Sequence, residues 1–400
     1  MTRFSRVLLL FVALCALPAV DVACSDDDSG TPAPDEMAQL RRTLQDKFAA
    51  SHAVGDFPGG TAGVVLADGT SFGLAAGVSD RATQRQMLPG DLLPQASVGK
   101  TYVAGVALQL VHEGKLALDD KVEKYLGEEP WYGRLPNAHD ITIRMIMKHT
   151  SGLVRYEYDP NFAAQVRKDP YRVWKREEQL AFLLDKPASF PAGQGWEYSD
   201  TNYIVLGLVI EHVTKSTYYA EAKKRLFAPL GLDRAIFMDR PDIPIVQGYA
   251  GDSNIFSGTD AMMVDGKMTF DPGFEWCGGG VASTAEELAR WIKLLYEGRA
   301  FEPSILPSML DGVPAPALGE GAKYGIATIL LPTRLGMTYG HSGTFPGYLT
   351  RVMYFPDTKV AVAVQVNTSA STFDRQRLVD TALDLAKAQQ PEAQSEALRY

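Results

Sequence analysis

Two hairpin signals lie at opposite ends of this 400-residue chain. In TAGVVLADGTSFGLAAGVSD, residues 61–80, two apolar runs surround Asp68-Gly69, and near the end YLTRVMYF and KVAVAVQVN flank the turn Pro356-Asp357-Thr358. Apolar β-formers on either side of such a turn predict an antiparallel hairpin in each place. Between them the period changes. ITIRMIMKH, EEQLAFLLDK, TNYIVLGLVIEHVTK and TAEELARWIKLLYEG read as helices, the last opening on a capping box of Thr284 with Glu287. Met37, Leu40, Leu44 and Phe48 recur at helical spacing from Asp35 to about Ala50, and a terminal helix spans about Phe373 to Ala388. Strands at both ends with helices between predict an α+β fold. One antiparallel sheet is built from both termini and flanked by helices, with a mostly helical subdomain inserted at about 105–300 of a single domain over 36–390. No internal repeat is visible.

The N-terminus reads as an export signal over residues 1–23. Arg3 and Arg6 precede the apolar stretch Val7 to Val20, which is too short for a comfortable membrane span. Cys24, preceded by small residues, resembles a bacterial lipoprotein processing site, although Asp21 stands where an aliphatic residue is usual. Residues 24–35, acidic and rich in Ser, Gly and Pro, read as a flexible tether. Two outcomes follow, a lipid on Cys24 or ordinary cleavage. Either predicts an exported protein of the bacterial cell envelope, periplasmic or lipid-anchored, meeting a membrane only through that anchor. The cysteines agree: Cys15 lies in the signal and Cys24 at its end, which leaves Cys277 alone in the body without a disulfide partner. Its flanks, EWCGGG, supply no base, so Cys277 is expected to be a small buried residue. A net charge of −9 and the lack of a basic run give no support to a nucleic-acid partner.

QASVGKTYVAG, residues 95–105, permits two readings. Gly-Lys-Thr ends a phosphate-binding P-loop, but the opening glycine of that motif would fall on Pro94, which has no N–H for a phosphate and cannot take the backbone angle required. Ser97 and Lys100 also form a Ser-x-x-Lys pair. The residues after Ser97 are apolar almost all round, which predicts a buried helix from near Ser97 to about Glu113. Residues three apart share a helix face, so Lys100 would stand one turn from the Ser97 hydroxyl. Free N–H groups and the positive dipole end at the helix start suit a nucleophile whose product is an oxyanion. Alone, the pair is a weak signal.

A serine hydroxyl needs a base to take its proton and return it to the leaving group. A lysine can do this only if its pKa is lowered, and a tyrosine only if a cation stabilises its phenolate. Candidates lie in GWEYSDTNY, residues 195–203, and YGHSGTFPGY, residues 339–348. Glycines such as Gly343 near a strand edge would let a substrate approach the backbone, where an amide can join the Ser97 N–H as an oxyanion hole. In this order SVGK, YSD and HSG, with KHTSGL and GGGVASTAEELARW, resemble the serine β-lactamase-related family of class C β-lactamases, D-alanyl-D-alanine carboxypeptidases, D-aminopeptidases and esterases. The resemblance runs from about residue 36 to 385 and implies a β-lactamase/DD-peptidase-like fold. It implies Ser97 as the acylated residue, Lys100 and Tyr198 sharing acid and base work, and His341 at the third motif, steering substrate or supporting the tyrosine's charge. The N–H groups of Ser97 and Thr344 would form the oxyanion hole. Asp200, His341, Ser342, Gly343 and Thr344 would meet the substrate, a small molecule or peptide, peptidoglycan-derived peptides among the candidates. No metal or organic cofactor is implied.

Rival readings are blander. His149 in KHTSGL reads as a loop-fixing residue, and His52, His112, His139 and His212 show no metal-binding spacing. GHSGT nearly imitates a nucleophile elbow, but Thr344 replaces its last glycine. Asp200 is the departure that matters, because the family has asparagine there. An ionised aspartate only accepts hydrogen bonds, and it would raise the pKa of Lys100 by pairing with it. The expectation is an enzyme that handles β-lactams poorly and prefers esters or small peptides. Peptidase, esterase and β-lactamase activities stay open in that order, with a non-catalytic envelope protein as the rival from another class.

Overall fold

The computed structural model describes residues 34–252 and 254–389; the expected signal, the expected tether up to residue 33 and Cys24 lie outside them. The helices that cover the sheet and frame the site are α1 (Pro34–Val54), α2 (Lys100–His112), α3 (Ile143–Lys148), α4 (Thr201–Thr214), α5 (Ala285–Tyr296) and α6 (Gln376–Lys387). Helix α1 starts at Pro34, so residues 34 and 35 are its first turn and not tether, with Asp35 and Glu36 facing the positive dipole end. The long strands are β1 (Gly59–Val65), β2 (Ser71–Asp80), β3 (Ile329–Thr333), β4 (Gly336–Phe345), β5 (Tyr348–Phe355) and β6 (Val360–Val366).

The first hairpin turns at Gly69, whose φ of 93° lies in the region that favours glycine, and Thr70 N–H donates to Asp68 Oδ1 at 2.8 Å. β1 then pairs with β6, Gly60 opposite Val366 and Val65 opposite Ala361. That pairing joins the two ends of the chain in one nine-stranded antiparallel sheet. Its order is 85–86, β2, β1, β6, β5, β4, β3, 323–324 and 313–314.

β1, β5 and β6 are buried along their whole length, because helices cover both faces. On one face Leu44 and Phe48 of α1 and Leu378 and Leu385 of α6 pack on Val64, Leu349, Met353 and Val362. On the other, α5 and the helical segment share a larger core containing Val103, Ile146, Ile204 and Trp291. Helices α2 and α4 are apolar all round, and that fits their place inside this core. Cys277 is buried there, unpaired.

Two local readings change. EEQLAFLLDK is helical only within Arg176–Leu180; the chain then winds through turns to Asp185, at φ 62°, whose N–H donates to Arg134 O at 2.8 Å. The capping box of α5 is half made. Thr284 Oγ1 accepts from Glu287 N–H at 3.2 Å, but the Glu287 carboxylate turns to Arg234 N–H at 2.9 Å.

Residues 93–95 cross the inner face of the sheet. Leu93 O accepts from Gln365 Nε2 at 3.2 Å and Pro94 O from Thr350 Oγ1 at 3.1 Å. Gln95 O comes so close to Gly343 that a Cβ there would lie 2.1 Å from it. Gln365, Thr350 and Gly343 are successive register partners on β6, β5 and β4. Three consecutive carbonyls thus step over three adjacent strands. Gly343→Ala is expected to destabilise the fold by about 1–3 kcal/mol through overpacking, read as a lower urea midpoint. Because the displaced carbonyl is two residues from Ser97, acylation should fall further than the stability loss accounts for.

Candidate active site

Ser97 sits in a 3-10 turn, Ala96–Gly99, that feeds into α2; the buried helix begins three residues later than its apolar pattern predicts. Ala96 has a φ of 50°, a left-handed conformation that costs a non-glycine residue about 1–3 kcal/mol and persists only where packing imposes it. The packing is glycine-lined. A Cβ on Gly279 would lie 2.5 Å from the Ala96 carbonyl carbon and 2.8 Å from Ser97 N, and one on Gly343 would lie 3.1 Å from Ala96 Cβ.

Lys100 is fully buried and its Nζ donates to Ser97 Oγ at 3.1 Å. It also donates to Gly278 O and forms an ion pair with Asp200. Burial pulls the ammonium pKa down, but the Asp200 carboxylate beside it, with Tyr198, more than reverses this and holds it above the usual lysine value. Lys100 therefore rests protonated.

Asp200, at the start of α4, is 3.7 Å from Arg155 Nη2. Burial would raise its pKa, yet Lys100 and Arg155 hold the carboxyl well below the usual range. Arg155 Nε donates to Glu157 Oε1 at 2.6 Å, and its guanidinium lies 3.9 Å over the Tyr158 ring. Burial, then the charge of Asp200, pushes Glu157 up to about 8, and the same two causes push Glu275 up to about 8. The Tyr198 hydroxyl is buried beside Ser97 and Lys100 but makes no well-formed hydrogen bond with either, and Lys100 Nζ stands 5.0 Å from its ring centroid. Burial raises the phenol and Lys100 only partly pulls it back, so Tyr198 rests neutral.

His341 lies on β4, fully inside. Its Nδ1 is 2.6 Å from Ser342 O, which only an N–H can face, and its Nε2 is 2.9 Å from Tyr324 Oη. Nδ1 thus carries the proton and Nε2 accepts. Burial brings the imidazolium pKa down to about 3, so the ring is neutral at physiological pH. It supplies no cation to Tyr198, whose ring centroid is 6.1 Å away, and the expected support of a tyrosine charge gives way to a hydrogen-bonding role. Gly343 also differs from expectation, since its missing side chain makes room for Gln95 and not for a substrate. Ser342 and Thr344 do line the cleft, and Thr344 Oγ1 accepts from Arg375 Nη1 at 3.0 Å. Beyond Gly340, β4 has no pairing with β3.

The cleft has a volume of about 860 Å3. Ser97, Tyr198, Asp200, His341, Ser342 and Thr344 line it, together with Arg155, Tyr158, Trp196, Glu197, Leu318, Ile329 and Arg375. Lys100 and Gly343 lie behind its wall. None of His52, His112, His139 and His212 reaches it. Among the described residues, no three His, Cys, Asp or Glu side chains are grouped to hold a metal ion. Arg155, Glu157, Glu275, Tyr324 and Arg375 were missed by sequence reasoning. Arg155 and Glu157 follow KHTSGL within four residues and Glu275 opens EWCGGG, but their residue types alone did not mark them as part of the site, and Tyr324 and Arg375 lie apart from every quoted motif.

Residues 44–387 match the family model described as Beta-lactamase, and the chain belongs to that family. It is a β-lactamase-family serine hydrolase with the β-lactamase/DD-peptidase-like fold expected of it. A penicillin-binding protein of Bacillus subtilis (strain 168) is 25% identical over 321 residues, 76% of this chain and 67% of that one. Esterase EstB of Burkholderia gladioli is 28% identical over 325 residues, 74% and 82% respectively. The crystal structure of a D-stereospecific amidohydrolase from Streptomyces sp. aligns with a TM-score of 0.74 at 25% identity, over 86% of this chain and 98% of that one.

The ion pair makes a signed prediction. Asp200 raises the pKa of Lys100, so Asp200→Asn should lower it and move the rising limb of the kcat/KM–pH profile to lower pH by about one unit or more. Because the Asp200 carboxyl is depressed in the fold, its stabilising contribution is present above its unfolded value of about 3.9 and is lost as pH falls through the folded one. Urea titrations from pH 7 to pH 2 should show that dependence reduced in Asp200→Asn.

Proposed function

We propose that Ser97 is the nucleophile of an acyl-transfer site, and that the enzyme hydrolyses amide bonds of small peptides in the manner of a D-alanyl-D-alanine carboxypeptidase. Ester hydrolysis is the second reading and β-lactam hydrolysis the third. One observation carries the proposal: the Ser97 hydroxyl is 3.1 Å from the Lys100 ammonium at the head of a buried helix, in a cleft that also holds Tyr198. The presence of all three groups argues against a non-catalytic envelope protein. The relatedness to a penicillin-binding protein and a D-stereospecific amidohydrolase supports the amide reading, and the relatedness to EstB supports the ester reading.

At rest both Lys100 and Tyr198 are protonated. The reactive form is the one in which this pair has lost a proton. Ser97 Oγ then attacks the substrate carbonyl carbon, and its proton passes to the pair. The N–H groups of Ser97 and Thr344 receive the oxyanion. As the C–N or C–O bond breaks, the pair returns the proton to the leaving amine or alcohol. Water releases the acyl group by the same steps in reverse roles, its proton restoring the Ser97 hydroxyl. His341 contributes hydrogen bonds from a neutral ring, and Asp200 holds Lys100 in place while keeping its free-amine form scarce.

An envelope location, with a lipid on Cys24 or ordinary signal cleavage, completes the proposal; it rests on the basic, apolar and tether-like order of the first 33 residues. Among the described residues, no helix is long and apolar enough to cross a membrane.

Intact-mass measurements test the chemistry. The protein and Ser97→Ala are incubated with an activated ester, a peptide ending in D-alanyl-D-alanine and a penicillin. An acyl adduct or turnover in the parent and none in Ser97→Ala is expected, with the penicillin adduct forming slowest and forming faster in Asp200→Asn. Equal labelling of Ser97→Ala would remove Ser97 from the mechanism. An unchanged penicillin rate in Asp200→Asn would dismiss Asp200 as the barrier to β-lactams.

A further inference from the structure

His149 ends α3 in the left-handed conformation, at φ 59°, which is uncommon outside glycine. Its ring meets those of Tyr203 and Tyr324, with centroids 5.5 and 4.9 Å away, while its hydrogen bonds flank a third tyrosine. His149 O accepts from Glu197 N–H at 3.1 Å, and His149 Nδ1 faces Ser199 N–H at 3.3 Å. The chain is therefore gripped on each side of Tyr198 by a single residue. Between these two bonds the His149 ring packs on the Tyr198 ring, centroids 4.1 Å apart at 39°. Asn202 Nδ2 lies 3.1 Å from the same Nδ1, and Asn202 Oδ1 accepts from Ser151 Oγ at 2.6 Å.

Two donors on Nδ1 leave the ring proton on Nε2, which is buried without a hydrogen-bond partner. A phenylalanine would fill the space without that unsatisfied group, but it could not accept from Ser199. The arrangement makes sense where both a ring face and an acceptor are needed. Tyr198 needs both, because its hydroxyl lies beside Ser97 and Lys100 without a well-formed hydrogen bond to hold it. We infer that His149 is the positioning residue for Tyr198, setting the tyrosine's height and angle in the cleft through its ring face and its Nδ1 acceptor, without itself exchanging protons with substrate.

The inference rests on the reading of Tyr198 as an acid–base group, so Tyr198→Phe is measured beside it. His149→Asn keeps a side chain that tolerates left-handed φ and offers an acceptor near Nδ1, but it has no ring. His149→Phe keeps the ring and loses the acceptor. Rates are taken per active site, titrated by the acylation burst with an activated ester. Each variant is expected to leave KM within about twofold and to lower kcat per titrated site by about 10–100-fold, as for a displaced catalytic group. The rising limb of the pH profile should shift as the tyrosine's surroundings loosen. Loss of activity only in proportion to titrated sites, with kcat per site and pH profile unchanged in whichever variant folds, would reduce His149 to a loop fastener. A fully active Tyr198→Phe would instead overturn the role of Tyr198, and the inference with it.

Discussion

Everything in the site is referred to the crossing of residues 93–95 over the sheet. Three backbone carbonyls meet Gln365, Thr350 and Gly343 on three adjacent strands, and the chain leaves this crossing directly into the Ala96–Gly99 turn. The central strands of the sheet are buried on both faces. Bolting the Ser97 turn to them fixes Ser97 relative to His341 and Thr344 on β4. The left-handed Ala96 is the local cost of that geometry, offset by packing against Gly279 and Gly343.

The electrostatics follow from burial. Lys100 has no exposure to water, so it needs a counter-charge close by, and Asp200 supplies it. Asp200 is in turn shared with Arg155, and Arg155 with Glu157. Two cations then face three carboxyl groups, and burial, reinforced by the charge of Asp200, pushes Glu157 and Glu275 up to about 8. An asparagine at position 200 would leave this balance different and Lys100 a stronger candidate base. The single substitution relative to the family pattern thus reaches through the whole polar floor of the cleft.

Much of this was legible in the linear chain for identifiable reasons. The hairpins at 61–80 and 348–367 are local turn chemistry, and their apolar strands have no stable alternative to joining a sheet. Helix α2 and the Ser97–Lys100 spacing follow from a period of 3.6 residues. The Lys100–Asp200 pairing follows from the resemblance, which puts the two motifs in one site, together with their opposite charges. The capping box of α5 and the helix in EEQLAFLLDK were read too generously, because Glu287 turns to Arg234, and residues 181–183 make local turn bonds before Asp185 meets Arg134. The neutrality of His341 could not be read, since it depends on burial and on Tyr324, a residue of a two-residue strand.

By itself the sequence determined the α+β class, the order of motifs and the types of group that a serine acyl transfer requires, since each of these depends on residue identity and short-range spacing. Only the tertiary structure decided which of those groups are charged and where their side chains aim. Lys100 rests as an ammonium, His341 as a neutral ring, Glu157 and Glu275 as proton holders, and Gly343 as a seat for Gln95. The physical reason is the same in each case: protonation and close approach are set by desolvation and by neighbours brought in from distant parts of the chain, and neither is written in local spacing.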